Sequence, residues 1–394
     1  MPSVQVAELD KKMIINSFTV DNLFVTSAVL APILVLYSAG GVSLALIMII
    51  VSSFLFAIKG NCSVRLLPYC FLLGVVVILH LLGASISVAF RTFQYELLLI
   101  LPFLVYDKSG GLCSKCVSLY RNIALICSLF LIFQYLMLHI VHIYVPGILA
   151  NSIFPPSESI LREASRSLEN GRRLSGVFSE PATFSVYVLG AMVLTLFDEF
   201  FERRKVFLAV YSLGILCSVS STGILTMLAF YAIYVFVNIS YLFEKINKNA
   251  KILFVLLIVA VCIILMLRSD AWLLFSYRIA GGQSASVRFE GYSFLQNFTL
   301  QDLAFGKGMN LESLDNKIYL SGFTRYVYYF GFLGLFLWVA MLLALLRNLP
   351  IEYKAFGLVF LILNLGESTM LGFAGYLFFL IICLKKNEKS YFAY

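Results

Sequence analysis

The stretch "VFLAVYSLGILCSVSSTGILTMLAFYAIYVFV", residues 206–237, contains no charged residue and is longer than the roughly 20 apolar residues that one membrane span needs. The whole chain has the same character, because 61% of its 394 residues are hydrophobic and 13% are charged. Soluble globular domains contain about 25% charged residues. The composition therefore predicts a polytopic integral membrane protein and excludes an ordinary soluble domain.

Apolar segments recur along the chain and predict an all-α architecture of about 12 transmembrane helices. We interpret residues 1–394 as one integral membrane domain. The N-terminal residues lack the charged start and apolar core of a cleavable signal, so the first span is expected to be its own insertion signal. The predicted spans are 22–38, 42–58, 66–90, 94–106, 122–145, 181–197, 206–220, 223–243, 252–267, 326–346, 355–366 and 370–384.

The distribution of Lys and Arg predicts the orientation of these spans. If both termini are cytoplasmic, the inside segments hold 18 of the 29 Lys and Arg residues, which is the expected bias. The two large loops, 146–180 and 268–325, then lie outside. The sequence pI near 9.0 reflects the segments that set topology, and it does not predict a nucleic acid partner.

The two faces differ more strongly in the type of cation. The inside segments carry 13 Lys and 5 Arg, whereas the outside carries 2 Lys and 9 Arg. Arginine offers a planar fork that holds phosphate bidentately, so the outer face is predicted to bind phosphate. The alternative is that these arginines snorkel at the interface or pair with carboxylates. The outer arginines are Arg91, Arg162, Arg166, Arg172, Arg173, Arg268, Arg278, Arg288 and Arg325.

The first large loop is predicted to contain a short helix that begins after Pro156, with Ser157 or Ser159 as its cap. Arg162 and Arg166 are four residues apart and would share one face of this helix. Ordinary interfacial helices have the same pattern, so this feature alone does not define a site.

The segment "LENGRRLSGVFSEPATFSVYVLG", residues 168–190, joins this loop to the next span. Pro181 is tolerated in the first helical turn, and Glu180 lies at the positive end of the helix dipole. Two interpretations stay open for Glu180. It is either a carboxylate stabilised by the dipole and neighbouring arginines, or a general base beside arginines that bind substrate phosphates.

Arg173, Gly176, Phe178, Glu180 and Pro181 resemble the "R, G, F, EP" segment of the O-antigen polymerase (Wzy) and O-antigen ligase group of bacterial envelope glycosyltransferases. Three later segments resemble this group in the same order: a Ser-rich span start, the arginine that opens the second large loop, and a following GxG. They are "CSVSSTGILTMLAFY" (217–231), "SVRFEGYSFLQNF" (286–298) and "FGKGMN" (305–310). The resemblance covers roughly residues 170–345.

The resemblance implies a GT-C-like transferase in the bacterial inner membrane whose active site faces the periplasm. The expected reaction moves the growing undecaprenyl-pyrophosphate-linked glycan onto a new lipid-linked repeat unit, with inversion. The chain has no Asp-x-Asp motif, so arginines would neutralise the departing pyrophosphate without a metal or cofactor. The expected partners are lipid-linked repeat units, membrane lipids and a chain-length regulator protein.

These expectations assign roles to individual residues. The predicted catalytic residues are Glu180, as a base that accepts or orients the proton of the attacking hydroxyl, with Arg173 and Arg288 on the donor pyrophosphate. The next carboxylates to consider are Glu290, Asp302 and Glu367. The predicted substrate-binding residues are Arg172, Arg278, Arg166, Arg91, Arg325, Gly176, Gly306 and Gly308.

Two alternative functions stay open. A ligase of the same group is expected to carry a histidine in the second large loop, but 268–325 contains none, and the three histidines are His80, His139 and His142. A lipid-linked oligosaccharide flippase or other transporter would place charges near mid-span and use Gly- or Pro-broken helices. The polar residues of this chain collect in the two loops, so polymerase is the favoured interpretation.

Overall fold

A computed structural model gives the fold of this protein, and its described residues are mostly helical. The all-α prediction is confirmed at this level, apart from a small β-hairpin. The structure describes residues 20–39, 42–60, 94, 97–105, 110–149, 153–158, 160–162, 165, 173–242, 290–308, 320–368 and 372–389.

The helices follow the apolar segments of the sequence. The helices α1 to α4 are Val20–Leu34, Leu44–Ile58, 97–104 and Leu112–Leu136, and the last continues as a π-helical turn over Met137–Val141. The helices α5 to α8 are Pro181–Leu196, Arg204–Ser218, Ser221–Leu242 and 290–295. The helices α9 to α12 are Leu300–Phe305, Gly322–Leu346, Ile351–Gly366 and Phe373–Lys389. The strands β1 and β2, Ser38–Ala39 and Val42–Ser43, pair antiparallel between α1 and α2.

Ten predicted spans coincide with described helices, and the predicted spans 66–90 and 252–267 lie outside the described residues. Within the described part of the chain, Leu112–Val141 and Gly322–Leu346 are long and apolar enough to cross a membrane. This finding is consistent with a membrane location. The second predicted loop, 268–325, contains α8 and α9 in its described part.

The start of α4 differs from the prediction by ten residues, because the helix begins at Leu112 and the predicted span begins at 122. Cys113 and Cys116 lie before the predicted start of the span, and both are buried near the start of this helix. Arg121 is also buried, and it forms an ion pair of 2.9 Å with Asp198. The helix extends through a charged segment because a partner distant in sequence neutralises that charge.

Contacts between helices fix their relative directions. Gly176, just before α5, packs against Leu131 in the second half of α4, whereas Arg121 near the start of α4 donates to the carbonyl of Leu194 at the end of α5, at 2.7 Å. The helices α4 and α5 are therefore antiparallel. A cavity of about 240 Å³ is lined by Asp198 and by Glu352, so the start of α11 lies beside the end of α5.

The bundle consequently has two distinct ends. The end that contains Glu180 also contains the start of α10 and the end of α11, because the Gly322 amide donates to the Glu367 carbonyl at 2.9 Å. We call it the Glu180 end. The opposite end, which we call the basic end, carries cations that the sequence predicted to be cytoplasmic: Arg121, Arg203, Arg204, Lys205, Arg347, Lys354, Lys385 and Lys386.

Helix α10 is broken at Gly331, whose φ of 68° and ψ of −178° are not helical. The backbone of Ala304 packs directly against Gly331, so a Cβ on Gly331 would lie 2.2 Å from the Ala304 carbonyl oxygen. Only glycine accommodates both this conformation and this approach. The break places the segment after α9 against the middle of α10.

Candidate functional site

The segment before α5 is held in place by three residues of its motif. Gly176 adopts a φ of 63° in a turn where the Phe178 amide donates to the Ser175 carbonyl at 3.1 Å. Phe178 is fully buried and packs on the ring of Tyr187 at 5.3 Å between centroids. Pro181 begins α5, as predicted. These anchors explain why the chain reaches α5 with Glu180 at a fixed position.

Glu180 is the N-cap residue of α5, with an extended backbone, and its side chain makes no capping hydrogen bond. The carboxylate is half-buried, and it forms no ion pair with any residue that the structure describes. A carboxylate with a purely structural role at this position would normally accept from the first amides of the helix. The geometry therefore leaves the oxygens of Glu180 accessible to an external donor.

Arg325 lies in the first turn of α10, at the same end of the bundle. Its side chain is half-buried, its Nε is buried without a hydrogen-bond partner, and its guanidinium makes no ion pair with the described residues. A cation near a helix N-terminus is disfavoured by the dipole, and an unsatisfied buried donor costs about 1–3 kcal/mol. An arginine kept under these conditions is a candidate for binding an external anion.

Arg173 is half-buried and lies seven residues before Glu180, three residues before the turn at Gly176. The same segment therefore positions a cation and a carboxylate at one end of the bundle.

Glu367 is one of the further carboxylates that the sequence analysis named, although it belongs to none of the quoted motifs. It lies at the C-terminus of α11 and is only 7% exposed. The dipole disfavours an anion there, so its burial needs a reason outside helix stability. The sequence signal is a single charge between two apolar runs, in "LNLGESTMLG" over 363–372. The structure places Glu367 at the Glu180 end through the hydrogen bond of its carbonyl to Gly322.

Gly306 and Gly308 have positive φ values of 81° and 79°. The amides of Lys307 and Gly308 donate to the carbonyls of Tyr328 and Tyr329, at 2.7 and 3.2 Å. These carbonyls precede the break in α10 and therefore need donor partners outside the helix. The GxG motif has a structural role on the helix that carries Arg325, and its predicted role in substrate binding stays a prediction.

Asp302 belongs to a capping box at the start of α9, where the Thr299 hydroxyl accepts from the Asp302 amide at 3.2 Å and the Asp302 carboxylate accepts from the Thr299 amide at 3.3 Å. The hydrogen bonds to Thr299, and the nearby Lys307 ammonium at 3.6 Å, lower the pKa of Asp302. A carboxylate with a lowered pKa and a capping role is a poor general base. Asp302 is therefore a structural residue.

Part of the predicted phosphate-binding set lies outside the described residues: Arg91, Arg166, Arg172, Arg278 and Arg288. The predicted approach of Arg288 to Arg173 therefore stays a prediction. The cap at Ser157 is confirmed, because its hydroxyl accepts from the Ile160 amide at 3.4 Å. Arg162 forms an exposed ion pair with Glu158 at 3.1 Å, which fits the alternative in which an outer arginine pairs with a carboxylate.

The two histidines lie in and just after the π-helical turn that ends α4. His139 and His142 are both exposed, and His139 lies against the ring of Tyr135 at 4.3 Å between centroids. Within the described ranges there is no group of three or more His, Cys, Asp or Glu side chains that could hold a metal ion.

No protein-family model, no curated protein and no solved structure matches this chain. The resemblance to the O-antigen polymerase and ligase group therefore depends on the motifs and their order.

Proposed function

We propose that this protein is an O-antigen polymerase with a GT-C-like architecture in the bacterial inner membrane. It transfers the growing undecaprenyl-pyrophosphate-linked glycan onto a new lipid-linked repeat unit at the periplasmic face. The observation that carries the proposal is the Glu180 end itself. There, a carboxylate without a capping bond lies at the same bundle end as a half-buried arginine that makes no ion pair with the described residues.

Each of these groups has a role in the proposed reaction. A hydroxyl of the acceptor sugar attacks the anomeric carbon of the donor glycan, and the bond to the lipid pyrophosphate breaks with inversion. Glu180 accepts the hydroxyl proton in this step. Arg173, Arg325 and Arg288 stabilise the negative charge that develops on the departing pyrophosphate, as fixed cations do in phosphoryl chemistry.

Glu367 is the second candidate for the base. Glu367 is only 7% exposed and lies at the Glu180 end, so a buried carboxyl is available there as an alternative proton acceptor. Glu180 is favoured because it adjoins the arginine-containing segment and is more accessible to a sugar hydroxyl.

Lipopolysaccharide gel analysis of a deletion strain tests the function. A polymerase mutant should show a single repeat unit on each core, and restoring the gene should restore the ladder. Bare core in the deletion strain would contradict the proposal, because it would indicate a ligase or a flippase.

The orientation has its own test, in which single cysteines replace Ser165 or Ser313 in a background without native thiols. Both should react with a membrane-impermeant maleimide in intact spheroplasts. Protection of both positions would place the active site on the wrong side of the membrane.

A flippase is the second candidate, and the break in α10 at Gly331 favours it, because transporters commonly build their sites at interrupted helices. The described ion pairs, however, lie toward helix ends or in loops. They are Lys59–Asp21 at the end of α2 and the start of α1, Arg162–Glu158 in the first large loop, Arg121–Asp198 and Lys385–Glu388 at the basic end, and Lys307–Asp302 at α9. Movement of lipid-linked units between leaflets, without any lengthening of the glycan, would favour this second function.

A further inference from the structure

We propose that an anionic membrane phospholipid binds in a groove between α10 and α11 at the basic end. Its acyl chain would lie along exposed leucines, and its phosphodiester would lie between Arg347 and Lys354. The inference depends on the membrane location within the proposed function, but it does not depend on the transferase chemistry.

The walls of the groove are apolar and exposed. Leu343 of α10 is 56% exposed and Leu358 of α11 is 40% exposed, and Leu361 extends the same wall. The cavity between them has a volume of about 560 Å³. Leucines exposed at this level on two neighbouring helices form a continuous surface for a hydrocarbon chain.

The cations and leucines follow one another in an order that matches a phospholipid. Arg347 comes four residues after Leu343, and Lys354 comes four residues before Leu358, so each cation shares a face with a leucine and lies about one turn nearer the end of the bundle. Leu361 lies about 10 Å along the helix from Lys354, at 1.5 Å per residue. The groove is therefore cationic at its mouth and apolar farther in.

The mouth of the groove has an excess of positive charge. Arg347 and Lys354 are both exposed, and neither forms an ion pair with a residue in the described part of the chain. The Lys386 ammonium lies 3.5 Å from the Ala344 carbonyl oxygen, which adds a third cation beside α10. Basic pockets between membrane helices on the cytoplasmic side bind anionic headgroups.

The nearby carboxylates do not neutralise these cations. Glu388 pairs with Lys385 at 2.7 Å. Glu352 lines the separate cavity that also contains Arg121 and Asp198. The phosphate of a lipid is therefore the missing countercharge at this position.

A second apolar groove, between α2 and α3, provides an internal comparison. It has a volume of about 230 Å³ and is lined by Ile50, Phe54, Leu97 and Leu101 among other residues, but no cation lines it. It can accept any acyl chain, whereas the groove between α10 and α11 also selects for a negative headgroup.

Native mass spectrometry of the detergent-purified full chain, titrated with phosphatidylglycerol or phosphatidylcholine, tests the proposal. The double variant R347Q/K354Q should bind phosphatidylglycerol about 25-fold more weakly, because each cation near a headgroup contributes about a factor of five. Its binding of phosphatidylcholine should not change. The matched control is R203Q/K205Q, which removes two exposed cations from the same end of the bundle without touching the groove.

A third variant tests the apolar part of the site. Leu358→Trp fills the groove at an exposed position and should also weaken binding of phosphatidylglycerol, while inorganic phosphate should not compete with the lipid. Wild-type binding of phosphatidylglycerol by R347Q/K354Q, equal losses in R203Q/K205Q, or efficient competition by inorganic phosphate would each overturn the proposal. Loss of polymerase activity is not a readout here, so failure of the proposed function would leave this result unaffected.

Discussion

Replacement of Glu180 by glutamine removes the proposed base while keeping the size and the hydrogen-bonding capacity of the side chain. General base catalysis typically contributes about 10² to 10⁴ in rate. At about 1.4 kcal/mol for each factor of ten, this corresponds to about 3–5 kcal/mol on the activation barrier. We therefore expect polymerisation by Glu180→Gln to fall by at least about 100-fold.

The same substitution should have little effect on stability, and this expectation follows from the structure. Glu180 makes no capping hydrogen bond and no ion pair with the described residues, so glutamine leaves no described partner unsatisfied. Only the favourable interaction of the charge with the α5 dipole is lost, which amounts to about 0.3–1 kcal/mol. Protein abundance and the thermal unfolding temperature should stay close to those of the wild type.

The assay is extension of lipid-linked repeat units by purified protein, scored per molecule of folded enzyme. Glu202→Gln is the matched control, because Glu202 is an exposed carboxylate at the basic end and forms no ion pair with the described residues. Near-normal extension by Glu180→Gln would refute the reasoning and would move the role of base to Glu367. Equal losses of activity in both variants would also contradict it.

The remaining predictions concern the cations and the backbone of the same end. Arg325→Lys keeps the charge but loses the bidentate fork, so extension should fall by about 100-fold, whereas Arg203→Lys at the basic end should have no effect in the same assay. Gly306→Ala combines a φ of 81° with a Cβ only 2.4 Å from the Tyr329 carbonyl, and should lower the free energy of unfolding by about 2–4 kcal/mol. Gly110 has a similar φ of 72°, but a Cβ added there would have no atom within 4 Å. Gly110→Ala should therefore lower the free energy of unfolding, measured by thermal unfolding in detergent, by only about 1–2 kcal/mol. Because the folded-state pKa of Asp302 is lowered, the α9 cap should be complete above the ordinary carboxyl pKa and should weaken as pH falls through the lowered value. The hydrogen-exchange protection factor of the Thr299 amide, which donates to the Asp302 carboxylate, should fall in this acidic window.

The positions of the helices could be predicted because apolar length is a local property of the sequence. The start of α5 followed from Pro181, and the cap at Ser157 followed from its place after two prolines. The start of α4 could not be predicted, because its charged segment is neutralised by a partner 77 residues away, Asp198. A prediction from local hydropathy and charge therefore places Arg121 in a loop before the span.

The break in α10 also depends on contacts that are distant in sequence. "YFGFLG" reads as a continuous apolar helix over 329–334, and glycine is frequent in membrane helices. The break is stabilised by amides of Lys307 and Gly308, which no local pattern connects to Tyr328 and Tyr329. The GxG motif was recognised, but its backbone role was not.

Only the part of the candidate site that has a local sequence motif could be predicted. Glu180 and Arg173 stand out because they adjoin a helix start within a recognisable motif. Glu367 has no motif, and its place at the Glu180 end follows only from the antiparallel packing of α10 and α11. Its burial is likewise a tertiary property.

Reconstitution of the purified protein into liposomes with undecaprenyl-pyrophosphate-linked repeat units tests the central claim most directly. The account predicts glycans of two or more repeat units on the lipid carrier, formed without added metal ion or cofactor, and their loss in Glu180→Gln. Movement of single repeat units between leaflets without any chain lengthening, by protein that is folded and correctly inserted, would contradict it.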